Sequence, residues 1–339
     1  MQNTEKMKVC VVGAGAIGGF IGARLAASGA CDVSTVARGA TLAALLAHGW
    51  RLQYDESLLQ LPASAVASPA ELGVQDLVII AVKGPALAAV AQAIAPLLGR
   101  DSIVLPAMNG VPWWFGNGIA ALGDAAPLAH VDPGGRIAAA IAQDKVLGCV
   151  VYASCAALKP GLVRHKMGQG IIIGEPDGAA SARVTRVGDL FTQAGFDVTL
   201  SPQIRTDIWY KLWGNLTLNP VSAMTGATMD RLLDDALVRD FCSAAMREAA
   251  TIGARIGCAV AQSPEERHAV TRKLGPFKSS MLQDVEAGRA IELDSIVAAV
   301  RELGQRVGVA TPNIDALLGL TRLFGRVHGL YPEENNPAA

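Results

Sequence analysis

A short strand, a glycine turn and a helix follow one another near the start of the chain, and no other feature limits the possible folds as much. The run KVCVV at 8–12 is continuously apolar, as in a buried strand, and the small and apolar residues after 18 are typical of a helix packed on a sheet. Between them GAGAIG has the spacing GxGxxG, which permits a tight turn, close approach of a pyrophosphate and close helix–strand packing. This pattern predicts a dinucleotide-binding α/β unit. The predicted cofactor contacts are Gly13, Ala14, Gly15, Ala16, Ile17 and Gly18.

Polar residues follow the ends of three further predicted strands. DVSTVAR ends at Arg38, DLVIIAV (76–82) leads to Lys83, and SIVLPAM (102–108) leads to Asn109. Ligands of open parallel sheets bind at the carboxyl ends of the strands, so these residues are expected near the cofactor. An arginine where NAD-binding sheets often carry an acid suits a 2′-phosphate and favours NADP(H). The alternatives are an exposed arginine at a loop start and, for Lys83, a solvated loop lysine.

The remainder of the first domain is predicted to contain more strands. VLGCVVY, starting at 146, predicts a strand, and GLVRHKMGQGIIIGEP predicts a hairpin that turns at Gly168-Gln169-Gly170. A helix at 181–194 and a strand at 197–200 complete a domain predicted to span 7–201.

Beyond residue 202 the pattern is helical, which predicts an all-helical second domain at 202–330 and a mobile tail at 331–339. Pro220 is expected to kink or end the first of these helices after Asn219. The predicted helices are 203–225, 230–257, 264–275, 278–288, 292–308 and 312–327.

One helical stretch, KLWGNLTLNP, spaces Lys211, Asn215 and Asn219 four residues apart. At about 100° per residue these three side chains form one stripe among large apolar neighbours. No charged residue occurs between Lys211 and Asp230, and a lysine in apolar surroundings is rare without a role. The alternatives are an ordinary polar face and buried groups with structural hydrogen bonds. A second stretch, SSMLQDVEAGRAIELD at 279–294, carries hydroxyls and carboxylates, although a surface helix has the same composition.

Composition limits the possible partners. The chain is 51% hydrophobic and 17% charged, with a formal net charge of -1 and no long run of like charge, so a small molecule is expected and nucleic acid is not. Six cysteines without CxxC or metal-ligand spacing indicate free thiols in a reducing cytosol and no metal site. Arg24 interrupts the early apolar run, which argues against a signal peptide, and no run reaches the roughly 18 residues of a membrane span. A cytoplasmic protein is expected.

These motifs together resemble the ketopantoate reductase family of 6-phosphogluconate-dehydrogenase-like oxidoreductases. The resemblance rests on GAGAIG, on the residues at the strand ends, on the match of KLWGNLTLNP to K-x-x-x-N-x-x-x-N-P, and on SSMLQD with a glutamate after it. It implies a Rossmann-type domain plus an all-helical domain and NADPH-dependent reduction of a 2-oxo acid to a 2-hydroxy acid. The first substrate implied is 2-dehydropantoate (ketopantoate), on the route to pantothenate and coenzyme A. A homodimer is also implied.

The resemblance implies a role for each matching residue. Lys211 and Glu292 are the implied catalytic residues, with Lys211 as the general acid. Asn109, Asn215, Asn219 and Ser280 would bind the substrate. Arg38, Lys83, Asn109, Ala156 and Glu292 would contact the cofactor in addition to the glycine turn.

Three departures from the family pattern leave the substrate open. Met229 and Phe277 replace residues that are often asparagine in the family, and an expanded segment containing Trp113 and Trp114 follows Gly110. Structural packing is the expected role of the two tryptophans, with a pocket or subunit contact as the alternative. A reductase of another 2-oxo acid or hydroxy acid, and an NADP-binding sensor without catalysis, are the other functions considered.

Overall fold

The computed structural model describes residues 6–123 and 127–333, and the chain divides into two compact units. The first unit contains the chain up to Met108 together with Gly135–Asp207. The second contains Asn109–Gly134 together with the chain from Ile208 onward. The division differs from the predicted boundary at 201, because residues 109–134 belong to the second unit and the later crossing falls inside a helix.

A five-stranded parallel sheet forms the centre of the first unit, in the order β5-β2-β1-β6-β7. The predicted strand–turn–helix is present as β1, the glycine turn and α1. The elements up to the end of this sheet are β1 (Met7–Val12), α1 (Ala16–Ser28), β2 (Cys31–Val36), α2 (Gly39–His48), β3 (Trp50–Tyr54), β4 (Ser57–Leu61), β5 (Ser64–Val66), β6 (Gln75–Ile80), α3 (Leu87–Ala93) and β7 (Leu98–Pro106).

A second, mixed sheet has the order β10-β9-β3-β4, with β8 paired to β9. The remaining elements of the unit are α4 (Arg136–Ala140), β8 (Gly148–Lys159), β9 (Leu162–Gly174), α5 (Ala182–Gln193) and β10 (Asp197–Leu200). The predicted hairpin turn at 168–170 is wrong, because β9 runs through it without a break. The turn lies instead at Pro160-Gly161, where Lys159 pairs with Leu162. Gly168, with φ +74°, lies where the β8–β9 register shifts, so this glycine belongs to a β-bulge.

The small residues of α1 allow the helix to pack closely on its neighbours. A Cβ on Gly22 would overlap the indole ring of Trp50, which is 2% exposed. Phe20, Ile21 and Leu25 on the same helix are fully buried in the core of the unit. The glycine-rich, aromatic-poor composition of this region thus reflects close packing around a single large ring.

The second unit is helical throughout the part that the structure describes. The long helix α6 starts in the first unit, and it continues through Pro220 to Thr225, so the proline does not end it. Asp235 interrupts the predicted helix 230–257 by capping α8, where its Oδ1 accepts a hydrogen bond from the Val238 amide at 3.0 Å. The helices are α6 (Ile204–Thr225), α7 (Met229–Asp234), α8 (Ala236–Arg255), α9 (Pro264–Arg272), α10 (Ser280–Glu286), α11 (Ala299–Arg306), which follows a π-helical turn at Asp294–Ala298, and α12 (Pro312–Val327).

The segment 109–134 is held in the second unit by hydrogen bonds to the π-helical turn and α11. The Val111 amide donates to the Ser295 carbonyl at 2.8 Å, and Arg306 donates to the Pro127 carbonyl at 2.9 Å. Trp113 and Trp114 are 3% and 0% exposed, which confirms that both are packing residues.

Tyr331, the first residue of the predicted tail, is hydrogen-bonded to the second unit. The Tyr331 hydroxyl donates to Asp294 at 2.6 Å, and the Tyr331 amide bonds to the Gly325 carbonyl, so this residue is anchored on the second unit. Residues 334–339 of the predicted tail lie outside the described residues.

The six cysteines are free, and five of them are buried. Burial raises the pKa of the Cys10 thiol to about 11 and that of the half-buried Cys155 thiol to about 12. No helix in the described ranges is both long enough and apolar enough to cross a membrane.

Candidate active site

Lys211 and Asn109, which are 102 residues apart in sequence, meet in the second unit. The Lys211 Nζ donates a hydrogen bond to the Asn109 Oδ1 at 2.9 Å. Lys211 is half-buried on α6, and its apolar neighbours Ile208 and Leu212 are 7% and 3% exposed. The helix is fixed in place by Trp213, whose ring N–H donates to the Met246 carbonyl at 2.7 Å. An amine is therefore held at a defined position against an amide oxygen.

The backbone after Asn109 is shaped by a close contact that the sequence did not predict. Gly110 has φ +84°, and a Cβ at this position would lie 2.5 Å from the Ser295 Oγ and 2.6 Å from the Ser295 carbonyl oxygen. Ser295 lies in the π-helical turn, and its carbonyl also accepts the Val111 hydrogen bond. π-Helical turns occur frequently at functional sites. Gly110 and Ser295 therefore set the position of Asn109 relative to Lys211.

The other predicted site residues of the second unit differ in burial. Asn215 is half-buried on α6, and Asn219, one turn further along, is 5% exposed. Glu292 is 7% exposed and lies two residues before the π-helical turn that carries Ser295. Lys211, Asn215 and Asn219 all lie on α6, as the four-residue spacing predicts.

The two hydroxyls at the start of α10 have different environments. Ser279 is 1% exposed and caps the helix, since its Oγ accepts from the Leu282 amide at 2.9 Å. Ser280, the predicted substrate-binding residue, is exposed at the first helical position. The Ser280 hydroxyl is therefore the one that a ligand can reach, whereas Ser279 has a structural role.

The glycine turn of the first unit has room for a ligand at the required position. A Cβ on Gly18 would overlap the Gly13 carbonyl oxygen, and a Cβ on Gly13, which has φ +95°, would lie 2.6 Å from Val82. Gly15, in contrast, is exposed and has no heavy atom within 4 Å of a built Cβ. No side chain caps the start of α1 at Gly15. Open space beside an uncapped helix N-terminus fits a bound phosphate.

The residues that follow the parallel strands lie at the same edge of the sheet. Backbone hydrogen bonds from Gly13 to Val36 and from Ala81 to Val12 hold the loops after β1, β2 and β6 together. Arg38 is exposed just beyond β2, and its guanidinium makes no hydrogen bond or ion pair with the described residues. Lys83 is exposed beyond β6. Ala156, the implied backbone contact, is half-buried on β8 opposite Arg164. The uncommitted guanidinium of Arg38 fits a phosphate on the cofactor ribose.

No three His, Cys, Asp or Glu side chains within 6–123 and 127–333 are grouped so that they could hold a metal ion.

A parallel sheet with an open glycine turn, combined in one chain with a helical unit that holds a half-buried lysine, defines a dinucleotide-dependent oxidoreductase of two units. Comparison with known proteins narrows this class. Residues 9–178 match the family model described as ketopantoate reductase PanE/ApbA, and residues 203–324 match its C-terminal counterpart. A 2-dehydropantoate 2-reductase of Mesorhizobium japonicum is 42% identical over 96% of this chain and 100% of that protein. The chain belongs to the ketopantoate reductase family and is an NAD(P)-dependent oxidoreductase that acts on CH–OH groups.

Solved structures agree with this assignment. A protein of Ralstonia solanacearum MolK2, described as a candidate ketopantoate reductase, has 53% identity and a TM-score of 0.91, covering 96% of this chain and 100% of that one. A D-mandelate dehydrogenase solved with NADH and anilino(oxo)acetate has a TM-score of 0.82 at 21% identity, with 96% and 100% coverage, and shares the fold.

Proposed function

We propose that this protein reduces 2-dehydropantoate to pantoate with NADPH, and that Lys211 is the general acid. The observation that carries the proposal is the Lys211 Nζ held at 2.9 Å from the Asn109 Oδ1. An ammonium has three donors, and Asn109 orients the group by accepting one of them. A ketone oxygen that gains negative charge needs such a positioned proton donor.

The proposed reaction is balanced by one hydride and one proton. When bound, NADPH would supply a hydride to the carbonyl carbon, and the C=O double bond would become a C–O single bond. Lys211 gives its proton to the carbonyl oxygen and is then reprotonated from solvent. The product is a 2-hydroxy acid. Asn215, Asn219 and the exposed hydroxyl of Ser280 are proposed to bind the other oxygens of the substrate, and Glu292 is proposed to act beside Lys211.

The choice of NADPH rests on Arg38. Its guanidinium follows the second strand of the parallel sheet and has no partner among the described residues. Guanidinium groups recognise phosphates through paired hydrogen bonds. Lys83 and Ala156 are proposed to contribute further contacts, and Arg38→Gln should weaken NADPH binding more than NADH binding.

The general-acid role predicts the behaviour of Lys211→Ala. Its kcat for 2-dehydropantoate should fall by about 10²- to 10⁴-fold, because proton donation at the transition state is lost. Its Kd for NADPH, measured by fluorescence titration, should remain near that of the unaltered protein. Lys159→Ala removes an exposed lysine from the β8–β9 hairpin and serves as the control. Unchanged turnover of Lys211→Ala would refute the assignment.

A different 2-oxo acid is the second candidate substrate. The apolar environment of Asn219 is the observation that favours it. Leu218 and Val221, which flank Asn219, pack in an apolar cluster with Met229 and Phe277. The Met229 amide also donates to the Phe277 carbonyl at 3.0 Å, so the two departures from the family pattern contact each other. An apolar wall near Asn219 suits a more apolar acid, such as an aryl 2-oxo acid of the kind found in the D-mandelate dehydrogenase structure.

A panel of 2-oxo acids, each assayed by the loss of NADPH absorbance, separates these candidates. The highest kcat/KM for 2-dehydropantoate supports the leading proposal, whereas a preference for an aryl 2-oxo acid supports the second. NADPH binding without oxidation by any member of the panel would instead indicate a sensor.

A further inference from the structure

A cavity of about 510 Å³, with charged and polar residues among its lining, lies in the second unit between α8 and α9. The lining side chains that could bind an anion are Arg239 and Ser243 on α8, His268 and Arg272 on α9, and Lys273 just after α9. None of these residues belongs to the proposed catalytic or cofactor-binding sets. The size lies in the range of small-molecule sites, about 300 to 1,000 Å³.

Two guanidinium groups converge at this cavity. Arg239 and Arg272 each donate to the carbonyl oxygen of Leu233, at 2.9 Å and 2.8 Å. Arg272 also pairs with Asp234. Two like charges that share a single acceptor repel each other, and an anion placed between them would offset this repulsion. The carbonyl at the end of α7 therefore holds both arginines in place to face one ligand.

His268 supplies the second, independent observation. It is 5% exposed, and neither of its ring nitrogens has a hydrogen-bond partner among the described residues. A buried polar group without a partner is destabilising, so such groups usually indicate a ligand or an ordered water. Burial lowers the pKa of His268, while Glu265 opposes the change, so the ring is neutral at pH 7. A neutral ring offers one donor and one acceptor.

We propose that this cavity binds the phosphate group of a small molecule. The acceptor oxygens of a hydrogen phosphate match the two arginines, and its one O–H matches the acceptor nitrogen of the neutral His268 ring. The Ser243 hydroxyl, which makes no hydrogen bond with the described residues, is a further donor. Because the cavity is larger than a phosphate ion, a phosphomonoester fills it better than inorganic phosphate.

The acidic residues at the cavity do not cancel its positive charge. Glu265 is paired with Arg247 at 2.9 Å, outside the lining. Asp240 is exposed and is the one lining acid without such a partner among the described residues. The cavity carries three positive charges, on Arg239, Arg272 and Lys273. They exceed the negative charges of Asp240 and of Asp234, the partner of Arg272.

The experiment uses the full-length protein and two probes, inorganic phosphate and glycerol 3-phosphate, at constant ionic strength. Binding is measured by calorimetry with NADPH at saturation, so that phosphate sites for the cofactor are filled. The ring resonances of His268, assigned by their loss in His268→Gln, report by NMR whether each probe reaches this cavity. The NMR measurement does not depend on NADPH.

The expected result is saturable binding of at least one probe with a shift of the His268 resonances. Arg239→Gln and His268→Gln should each raise the Kd of the probe by about tenfold or more, which is the effect of losing one hydrogen bond to a charged group. Arg255→Gln, which removes an exposed arginine at the far end of the same helix, outside the lining, should bind as the unaltered protein does. Lys273→Gln, at an exposed position, covers the case in which His268→Gln does not fold, and it should also weaken binding.

Three results would each overturn the proposal. The first is no binding of either probe, with unshifted His268 resonances, which would indicate that water satisfies the ring. The second is equal weakening in Arg255→Gln and Arg239→Gln, which would indicate a general charge effect. The third is binding that disappears when NADPH is added, which would place the phosphate in the cofactor site.

Discussion

The glycine turn shows how residues of the same type can have opposite functions a few positions apart. The hydrogen of Gly18 faces the Gly13 carbonyl oxygen, whereas the hydrogen of Gly15 faces open space. The motif assigns close packing to Gly18 and the approach of a pyrophosphate to Gly15, and the coordinates show the close packing at Gly18.

This difference gives a matched pair of variants at the residue scale. Gly15→Ala should leave the Tm nearly unchanged, because the residue has φ -76° and nothing near its Cβ, yet it should weaken NADPH binding by about tenfold or more. Gly18→Ala should lower the Tm by several degrees, since forcing an atom into packed backbone costs about 1–3 kcal/mol.

Thermal unfolding and fluorescence titration of both variants test the pair. Two outcomes would contradict the interpretation: a Gly15→Ala protein that binds NADPH normally, or a Gly18→Ala protein with an unchanged Tm.

At the scale of elements, the regular parts of the fold could be predicted and the irregular ones could not. The strand β1 and the helix α1 follow from local apolar patterns, and β10 was predicted with its observed ends. The bulge at Gly168 has the same sequence signal as a turn, because both favour glycine at a residue with a positive φ. This explains the wrong hairpin prediction. The π-helical turn at 294–298 has no local signal, since it depends on contact with a segment almost two hundred residues earlier in the chain.

The contact of Gly110 with that turn predicts the effect of Gly110→Ala. The added methyl would meet the Ser295 backbone, so Asn109 must move away from the Lys211 amine. A displacement of about 1 Å at a catalytic group can cost about 10²-fold in rate. We therefore expect a fall in kcat of at least about tenfold, with the NADPH Kd unchanged.

Gly118→Ala is the control for this prediction, because it has a similar φ of +74° and no heavy atom near its Cβ. Both variants should lose about 1–2 kcal/mol from backbone strain, and Gly110→Ala should lose more because of the contact with Ser295. The kcat is therefore compared at a temperature at which both variants are folded. Equal kcat values in the two variants would show that the Ser295 contact does not position Asn109.

For the whole molecule, each of the two units is built from two separate stretches of the chain. The chain crosses between the two units after Met108, Gly134 and Asp207. The predicted boundary at 201 came from the change from strand to helix patterns, and the last crossing lies after Asp207. The sequence did not predict the first two crossings, because the assignment of 109–134 depends on partners such as Ser295 and Glu302 far along the chain.

This arrangement predicts that a fragment ending at 207 cannot form a well-packed protein while it keeps residues 109–134. The fragment would lack most of the second unit, against which four buried apolar residues pack: Val111, Trp113, Trp114 and Phe115. Each large side chain left exposed would lower the stability of the fold by about 1.5–3 kcal/mol. We expect the fragment to bind a hydrophobic dye and to aggregate. Replacing 109–134 with a Gly/Ser linker of the same length should reduce both effects.

Hydrogen exchange in the intact protein tests the same division without a fragment. The Val111 amide donates to the Ser295 carbonyl, so its exchange should follow the amides of α11 rather than those of β7. Addition of NADPH should slow exchange in β1 and α1 more than at Val111, because the proposed phosphate contacts lie in the first unit. Two results together would contradict this division. They are exchange at Val111 that follows β7, and a fragment with residues 109–134 that is as soluble as the fragment with the linker. They would mean that residues 109–134 depend on the first unit for their structure.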